Sequence, residues 1–174
     1  GSLLNFVSTL HGLNAGHLIC SDITPKENNP LSVENKQILE DSGLPVTFLY
    51  GTSVQDHIRQ LVEESTTFEC IVLPWFSMYL SSDEVNAVLN GCCKLLEPDG
   101  VIMERYSARQ AFNQPSSGLS MLTRFRPPGV LHSLYKANGL NVIEDATIEA
   151  FSPWAEDGQR YLVATKDRGV CRKD

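Results

Sequence analysis

The feature that most constrains the fold is a regular alternation of helical and extended patterns from residue 3 to about residue 145. Apolar residues that recur every three or four positions predict amphipathic helices, and the short apolar runs between them predict strands. Helices are predicted over 3–13, 32–43, 53–65, 81–100 and 130–140. Strands are predicted over 17–20, 45–51, 68–75, 101–106, 141–151 and 160–166. This order favours right-handed crossovers and a mainly parallel sheet covered by helices on both faces.

The last two predicted strands differ from the others because the turn SPWAEDGQ, and not a helix, connects them. Strands joined by a short turn run antiparallel, so we expect the final strand to oppose its neighbours. The predicted fold is therefore a three-layer, Rossmann-like α/β fold with an antiparallel last strand. We expect one domain over 1–166, with an irregular, Pro- and Ser-containing insertion or lid over 107–129 and a flexible tail over 167–174.

The composition excludes several classes of protein. With 174 residues, 42% of them hydrophobic, the chain is long enough to bury one core and has no apolar run that could span a membrane. Its 14 Lys and Arg against 21 Asp and Glu make nucleic acid an unexpected partner. Its start has no basic leader of the kind that a signal peptide carries. The five Cys form no CxxC pair, which favours reduced thiols in a cytoplasmic protein and no metal site.

One acid, Asp22 in HLICSDITP, directly follows an apolar strand. Open parallel sheets bind ligands beyond the carboxyl ends of their strands, where a carboxylate can accept two hydrogen bonds from a ribose diol. Asp22 is therefore a candidate ligand of a nucleoside-containing cofactor. The alternative is that it caps the turn through Thr24 and Pro25. A nicotinamide-dependent enzyme would also place an acid here, but the antiparallel terminal hairpin argues against that class.

The ordered segments of the chain resemble those of class I S-adenosylmethionine-dependent methyltransferases over residues 3–166. GLPVTFLYGTS is similar to the third strand of that family, FECIVLPWFSMYL to its fourth strand, and LLEPDGVIM to its Leu-Lys-Pro-Gly-Gly turn and fifth strand. The resemblance implies methyl transfer from S-adenosylmethionine to a small-molecule or carrier-bound substrate. It does not imply an amine substrate, because LPWF lacks the leading amide of the Asn-Pro-Pro-Tyr signature.

The same resemblance implies a set of binding residues. The cofactor-binding candidates are Asp22, Ile23, Thr52, Ser53, Leu73, Pro74 and Trp75. Asp22 would bind the ribose and Ile23 one face of the adenine. Thr52 and Ser53 stand where the family often has an Asp that contacts the adenine amino group. Residues 73–75 would line the donor or the acceptor.

Candidate substrate contacts near the predicted pocket are Tyr79, Tyr106 and Arg109. Tyr79 could instead be a core aromatic at helical spacing, and the arginines near the insertion could form a solvated rim. No catalytic residue is predicted, since direct displacement at a sulfonium mainly needs alignment. His57 and His132 lie on predicted amphipathic helices and are expected at the surface.

The family's first strand and its glycine-rich turn would precede the first helix, yet this sequence starts at that helix. Three explanations remain open: an upstream domain or a second chain completes the sheet, the second and fourth strands pair directly, or the domain is degenerate. The last would make the chain a non-catalytic scaffold or interaction domain. The sequence therefore predicts a methyltransferase-like fold that is incomplete at its amino-terminal end.

Overall fold

The computed structural model describes residues 16–22, 37–38, 40–74, 76–108, 126–147 and 159–167. The chain divides into two compact units, residues 1–57 and 58–174. The predicted helix over 3–13, most of the predicted insertion and nearly all of the predicted tail lie outside the described residues.

The first unit contains two parallel strands, β1 (Leu18–Asp22) and β2 (Val46–Tyr50). Residues 37–38 and 40–41 are helical, and this turn of helix ends at Gly43, whose φ of 67° is in the left-handed region that suits glycine. Helix α1 (Val54–Glu63) begins in this unit. Both strands and the end of the helix before β2 agree with the sequence prediction.

The second unit contains the larger sheet. Its elements in chain order are β3 (Phe68–Pro74), a short 3-10 helix (Phe76–Met78), α2 (Ser82–Leu95), β4 (Leu96–Ser107), α3 (Pro128–Ala137), β5 (Leu140–Thr147) and β6 (Gln159–Lys166). The strand order is β3-β4-β6-β5. Strand β3 is parallel to β4, whereas β6 is antiparallel to both β4 and β5. The predicted Rossmann-like α/β fold and its antiparallel last strand are confirmed.

Helix α2 begins as the sequence predicts but ends earlier. Ser81 is its N-cap and forms a capping box with Glu84, so two backbone amides at the helix start are satisfied. We predicted that the helix would run to Pro98-Asp99-Gly100, but it ends at Leu95, and Leu96 is already extended and paired with Phe68. Pro98 disfavours a helical Glu97, and the pairing of Leu96 with Phe68 on β3 ends the helix earlier still.

The core of the second unit lies between the sheet and helices α2 and α3. Its fully buried side chains include Val85, Val88, Leu89, Ile102, Leu131, Tyr135 and Leu162. Strand β3, which we predicted to be buried on both faces, is not part of this core along most of its length. Val72 is 38% exposed and Cys70 is exposed, so the prediction of Cys70 as a core thiol is wrong.

No helix in the described parts of the chain is both long enough and apolar enough to span a bilayer.

Candidate functional site

The candidate site of the first unit is the carboxyl edge of its two strands. Asp22 is the last residue of β1 and pairs with Tyr50, the last residue of β2. Thr52 and Ser53 follow β2 by two and three residues, so they start from the same edge as Asp22. The side chain of Asp22 and all of Ile23 lie outside the described residues.

A buried histidine organises this edge. His57 is 5% exposed, and its two ring nitrogens contact two hydroxyl groups. The Nδ1 atom lies 2.5 Å from Ser21 Oγ, and Nε2 is hydrogen bonded to Thr52 Oγ1. Because a neutral imidazole has one donor and one acceptor nitrogen, the two hydroxyls satisfy the ring completely. His57 therefore ties the end of β1 to the loop after β2, and our prediction that it is a surface residue is wrong.

Ser53 has a local role at the start of α1. Its hydroxyl donates to Asp56 Oδ2 over 2.7 Å, and its Oγ accepts a hydrogen bond from the Asp56 amide over 3.2 Å. These contacts resemble an N-cap. The hydroxyls of Thr52 and Ser53 both have protein partners in this structure.

The second unit has a candidate site of its own at the carboxyl edge of β3 and β4, which are parallel and therefore end together. Leu73 is buried at the end of β3, whereas Tyr79, just after the 3-10 helix, is 47% exposed. Tyr106 is buried near the end of β4. The side chain of Pro74 and all of Trp75 and Arg109 lie outside the described residues.

Beneath this edge, a buried carboxylate supports the segment that follows β3. Glu104 on β4 is 1% exposed, and its Oε1 accepts a hydrogen bond from the Ser77 amide over 3.2 Å. Its Oε2 accepts from the Tyr135 hydroxyl over 2.7 Å. Burial raises the pKa of Glu104, and the bonds from Ser77 and Tyr135 oppose that rise. Burial also raises the pKa of Tyr135, and the charge of Glu104 adds to the rise.

Arg126, also buried, binds the backbone carbonyls of the same segment. Its guanidinium donates to the carbonyl oxygen of Ser77 and, over 2.7 Å, to that of Leu80. The fixed fork of the guanidinium suits two carbonyls separated by one turn. The backbone from 77 to 80, which carries the exposed Tyr79, is thus anchored by a carboxylate and a guanidinium that are both buried.

A second carboxylate lies at the rim of the same sheet. Asp145 on β5 accepts hydrogen bonds from Tyr106 Oη, at 2.8 and 2.9 Å to its two oxygens, and from Arg160 Nε at 2.7 Å. Its Oδ2 lies 2.7 Å from His132 Nε2. Burial alone would raise the pKa of Asp145, but the hydrogen bonds from Tyr106, Arg160 and His132 lower it overall. Tyr106, a predicted substrate contact, has its hydroxyl on this carboxylate.

Sequence reasoning missed most of the residues that organise these edges: His57, Glu104, His132, Asp145 and Arg160. It included Arg126 among the arginines near the insertion, but the alternative of a solvated rim is wrong for this buried side chain. One of the missed residues left a signal, because Glu104 interrupts the apolar strand VIMERY with an inward-facing acid. The histidines left none, because Ser21 and Asp145 lie 36 and 13 residues from their histidine partners and meet them only in the folded chain. Within the described parts of the chain, no group of three or more His, Cys, Asp or Glu side chains is placed to hold a metal ion.

Comparisons with known proteins identify the fold. The chain is similar to an S-adenosylmethionine-dependent methyltransferase from Clostridium acetobutylicum, with a TM-score of 0.60 and 11% identity over 86% of this chain and 75% of that one. It is similar to an O-methyltransferase family protein from Burkholderia thailandensis, with a TM-score of 0.59 and 14% identity over 97% of this chain and 56% of that one. A scan of protein-family models and a search of curated proteins find no match.

A third similar structure is magnesium protoporphyrin IX methyltransferase from Synechocystis with bound SAH, with a TM-score of 0.57 and 10% identity over 95% of this chain and 81% of that one. The chain spans little more than half the length of the Burkholderia protein. The likeness to these structures, together with the strand order, shows that the chain has the fold of class I S-adenosylmethionine-dependent methyltransferases.

Proposed function

We propose that the chain is part of an S-adenosylmethionine-dependent methyltransferase that acts on a small-molecule or carrier-bound substrate. The observation that carries the proposal is the arrangement of strands: parallel β1 and β2, parallel β3 and β4, and an antiparallel β6 between β4 and β5. The solved methyltransferases have this fold, and one of them binds SAH. A fold is compatible with several functions, so binding of the donor has to be measured.

In the first unit, we propose that Asp22 binds the ribose of the donor and that Ile23 packs on the adenine. The position of Asp22 at the end of β1, opposite the end of β2, supports this role. Thr52 and Ser53 are the proposed adenine contacts. Their hydroxyls already bind His57 and Asp56, so a contact to adenine would share or replace those bonds.

In the second unit, we propose that Leu73, Pro74 and Trp75 line the donor or acceptor, and that Tyr79 and Arg109 contact the substrate. The exposure of Tyr79 and the anchoring of its backbone through Glu104 and Arg126 support a binding role for this segment. Binding segments that are fixed by buried groups lose little entropy when a ligand arrives.

We further propose that an upstream domain or a second chain adds a parallel strand to the open edge of β3 and supplies the glycine-rich turn. Among the strands that the structure describes, β3 pairs only with β4. Its free edge belongs to the seven-residue, largely apolar strand FECIVLP, and such a strand is unusual at an edge that stays in water. A strand on that edge would satisfy its backbone groups.

We propose a cytoplasmic location, because the five Cys of the sequence form no CxxC pair and favour reduced thiols.

Calorimetry with S-adenosylmethionine and S-adenosylhomocysteine tests the proposal. We expect the chain to bind both ligands, and Asp22→Ala to weaken binding roughly 10- to 100-fold, since a hydrogen bond to a charged group contributes about 1.5–3 kcal/mol. The matched control is Asp41→Ala, an exposed acid in the same unit that accepts a hydrogen bond from Gln37. The control should bind like the wild type.

Two results would contradict the proposal. Unchanged affinity in Asp22→Ala would remove the ribose role of Asp22 while leaving donor binding intact. The absence of binding heat at millimolar ligand would favour the second candidate function, a non-catalytic scaffold or interaction domain. The engagement of the Thr52 hydroxyl with His57 is the observation that favours this alternative.

A further inference from the structure

The inference concerns three side chains at the candidate site of the first unit: Ser21, Thr52 and His57. Ser21 is the next-to-last residue of β1, and Thr52 follows β2 by two residues, so both lie at the carboxyl edge of the parallel pair. Both are exposed, whereas His57, in the first turn of α1, is only 5% exposed. A buried imidazole therefore connects two exposed hydroxyl-bearing residues at the edge where open α/β sheets bind their ligands.

The loop that carries Thr52 is held on both sides. Gly51, between β2 and Thr52, has a φ of 78°, in the left-handed region that suits glycine. After Thr52, the carbonyl oxygen of Ser53 accepts a hydrogen bond from the His57 amide over 3.1 Å. The His57 ring binds Thr52 Oγ1 through Nε2 and Ser21 Oγ through Nδ1. One imidazole ring therefore fixes the position of the Thr52 hydroxyl relative to the end of β1.

The bond to His57 leaves the Thr52 hydroxyl able to accept another hydrogen bond. A hydroxyl has one hydrogen to donate and two lone pairs that accept. If Nε2 carries the ring proton, it donates to Oγ1, and one lone pair of Oγ1 is left. If Nε2 has no proton, Oγ1 donates its hydrogen to the ring, and both lone pairs are left. Thr52 can therefore accept from a ligand in both tautomers but can donate to one only in the first, so it suits an amino group better than a carbonyl group.

We propose that His57 is the positioning residue of this edge and that, through Thr52, it makes the edge prefer a 6-aminopurine nucleoside over a 6-oxopurine nucleoside. The inference rests on the proposed function, in which Thr52 is an adenine contact, and adds the residue that sets its selectivity. A histidine that only stabilised the fold would affect the two nucleosides alike, since they share the ribose and the shape of the purine. The ratio of the two affinities therefore distinguishes positioning from a structural role.

Calorimetry of the full chain with two probes tests the inference. The probes are S-adenosylhomocysteine, which has an amino group at the C6 atom of the purine, and S-inosylhomocysteine, which has a carbonyl group there. We expect the wild type to bind the first about 3- to 10-fold more tightly, the effect of one neutral hydrogen bond. Thr52→Val, at an exposed position, should remove most of this preference. The ratio does not depend on the folded fraction of the chain, since that fraction scales both apparent affinities equally.

Two variants of His57 distinguish its two contacts, because the amide of Gln can reach the position of Nε2 and the amide of Asn that of Nδ1. His57→Gln keeps a partner for Thr52 and should keep the preference for S-adenosylhomocysteine. His57→Asn keeps a partner only for Ser21 and should lose most of the preference. Adding His57→Asn to Thr52→Val should change the ratio no further, since the histidine acts through this hydroxyl.

The matched control is His17→Asn. His17 is a histidine of the same unit whose Nε2 also binds a threonine hydroxyl, that of Thr47, over 2.9 Å near the amino end of the strands. This variant should leave the ratio of affinities unchanged.

Equal loss of affinity for both probes in His57→Asn, at an unchanged ratio, would mean a structural role and would overturn the inference. Equal loss of the preference in His57→Gln and His57→Asn would overturn it too. A wild type that binds both probes equally would overturn this inference alone. Failure of the wild type to bind S-adenosylhomocysteine would overturn the proposed function and the inference with it.

Discussion

Strands β3 and β4 pair with each other, yet their burial is the reverse of what their sequences suggest. Strand β3 reads FECIVLP and is almost wholly apolar, but Val72 is 38% exposed. Strand β4 contains an acid in its centre, and that acid, Glu104, is 1% exposed. The difference lies in the two faces of the sheet: Glu104 is on the buried face, whereas Val72 is on the open face beside its β4 partner Met103, which is 42% exposed.

The comparison shows that an apolar sequence allows a strand to be buried, but that the elements packed against it determine which of its side chains are buried. Glu104 is stable inside because Ser77 and Tyr135 donate to its two oxygens. Val72 stays exposed because nothing in the described chain covers it. An apolar strand with an open edge is an incomplete structure, and this is why we propose that another strand completes it.

The largest effect is expected at the buried acid of β4. Glu104→Ala should lower the free energy of unfolding by about 3–4 kcal/mol, because it leaves the Ser77 amide and the Tyr135 hydroxyl buried without an acceptor. Urea denaturation measures the change. Met103→Ala, an exposed position on the same strand, is the control and should cost less than about 1 kcal/mol. A small effect of Glu104→Ala would mean that the hydrogen bonds from Ser77 and Tyr135 to Glu104 do not stabilise the fold.

A pair of truncations compares the two strands directly. Ile102→Ala on β4 should cost about 3 kcal/mol, because the side chain is fully buried. Val72→Ala on β3 should cost less than about 1 kcal/mol in the isolated chain, because its side chain is already partly in water. Equal costs, measured by the same urea titration, would show that the face bearing Val72 is as well covered as the face bearing Ile102 and would break the comparison.

Glu104 and Asp145 should make opposite contributions to the pH dependence of stability, because the pKa of the first is raised and that of the second is lowered. The pKa of Glu104 is raised in the folded state, so its contribution to stability is present below the ordinary value of 4.5 and is lost as the pH rises through the folded pKa. The pKa of Asp145 is lowered, so its contribution is present above 3.8 and is lost as the pH falls through the folded pKa.

Urea midpoints across this range, for Glu104→Gln and Asp145→Asn beside the wild type, separate the two contributions. As the pH rises, the urea midpoint of the wild type should fall relative to that of Glu104→Gln. The difference between wild type and Asp145→Asn should shrink as the pH falls. A Glu104→Gln profile parallel to that of the wild type would mean that the acid does not titrate differently in the folded chain.

The sequence predicted the elements well wherever local patterns decide them. The strands HLIC and PVTFLY, the capped start of α2 and the antiparallel last strand are where the patterns place them. The end of α2 was predicted too late, because pairing of Leu96 with Phe68 depends on a distant strand. The buried His57 and the group around Asp145 could not be predicted for the same reason, since their partners are brought together only by the fold. The roles of Asp22 and of the other predicted binding residues stay predictions.

Amide hydrogen exchange along the two strands tests the central claim most directly. In the centre of β4, residues 101–105 pair with β3 on one side and β6 on the other, so all their amides should exchange slowly. Along β3, alternate amides point away from β4, and we predict that every second one exchanges fast in this chain. Uniform slow exchange along β3 would show that its second edge is already covered, and this result would contradict the account.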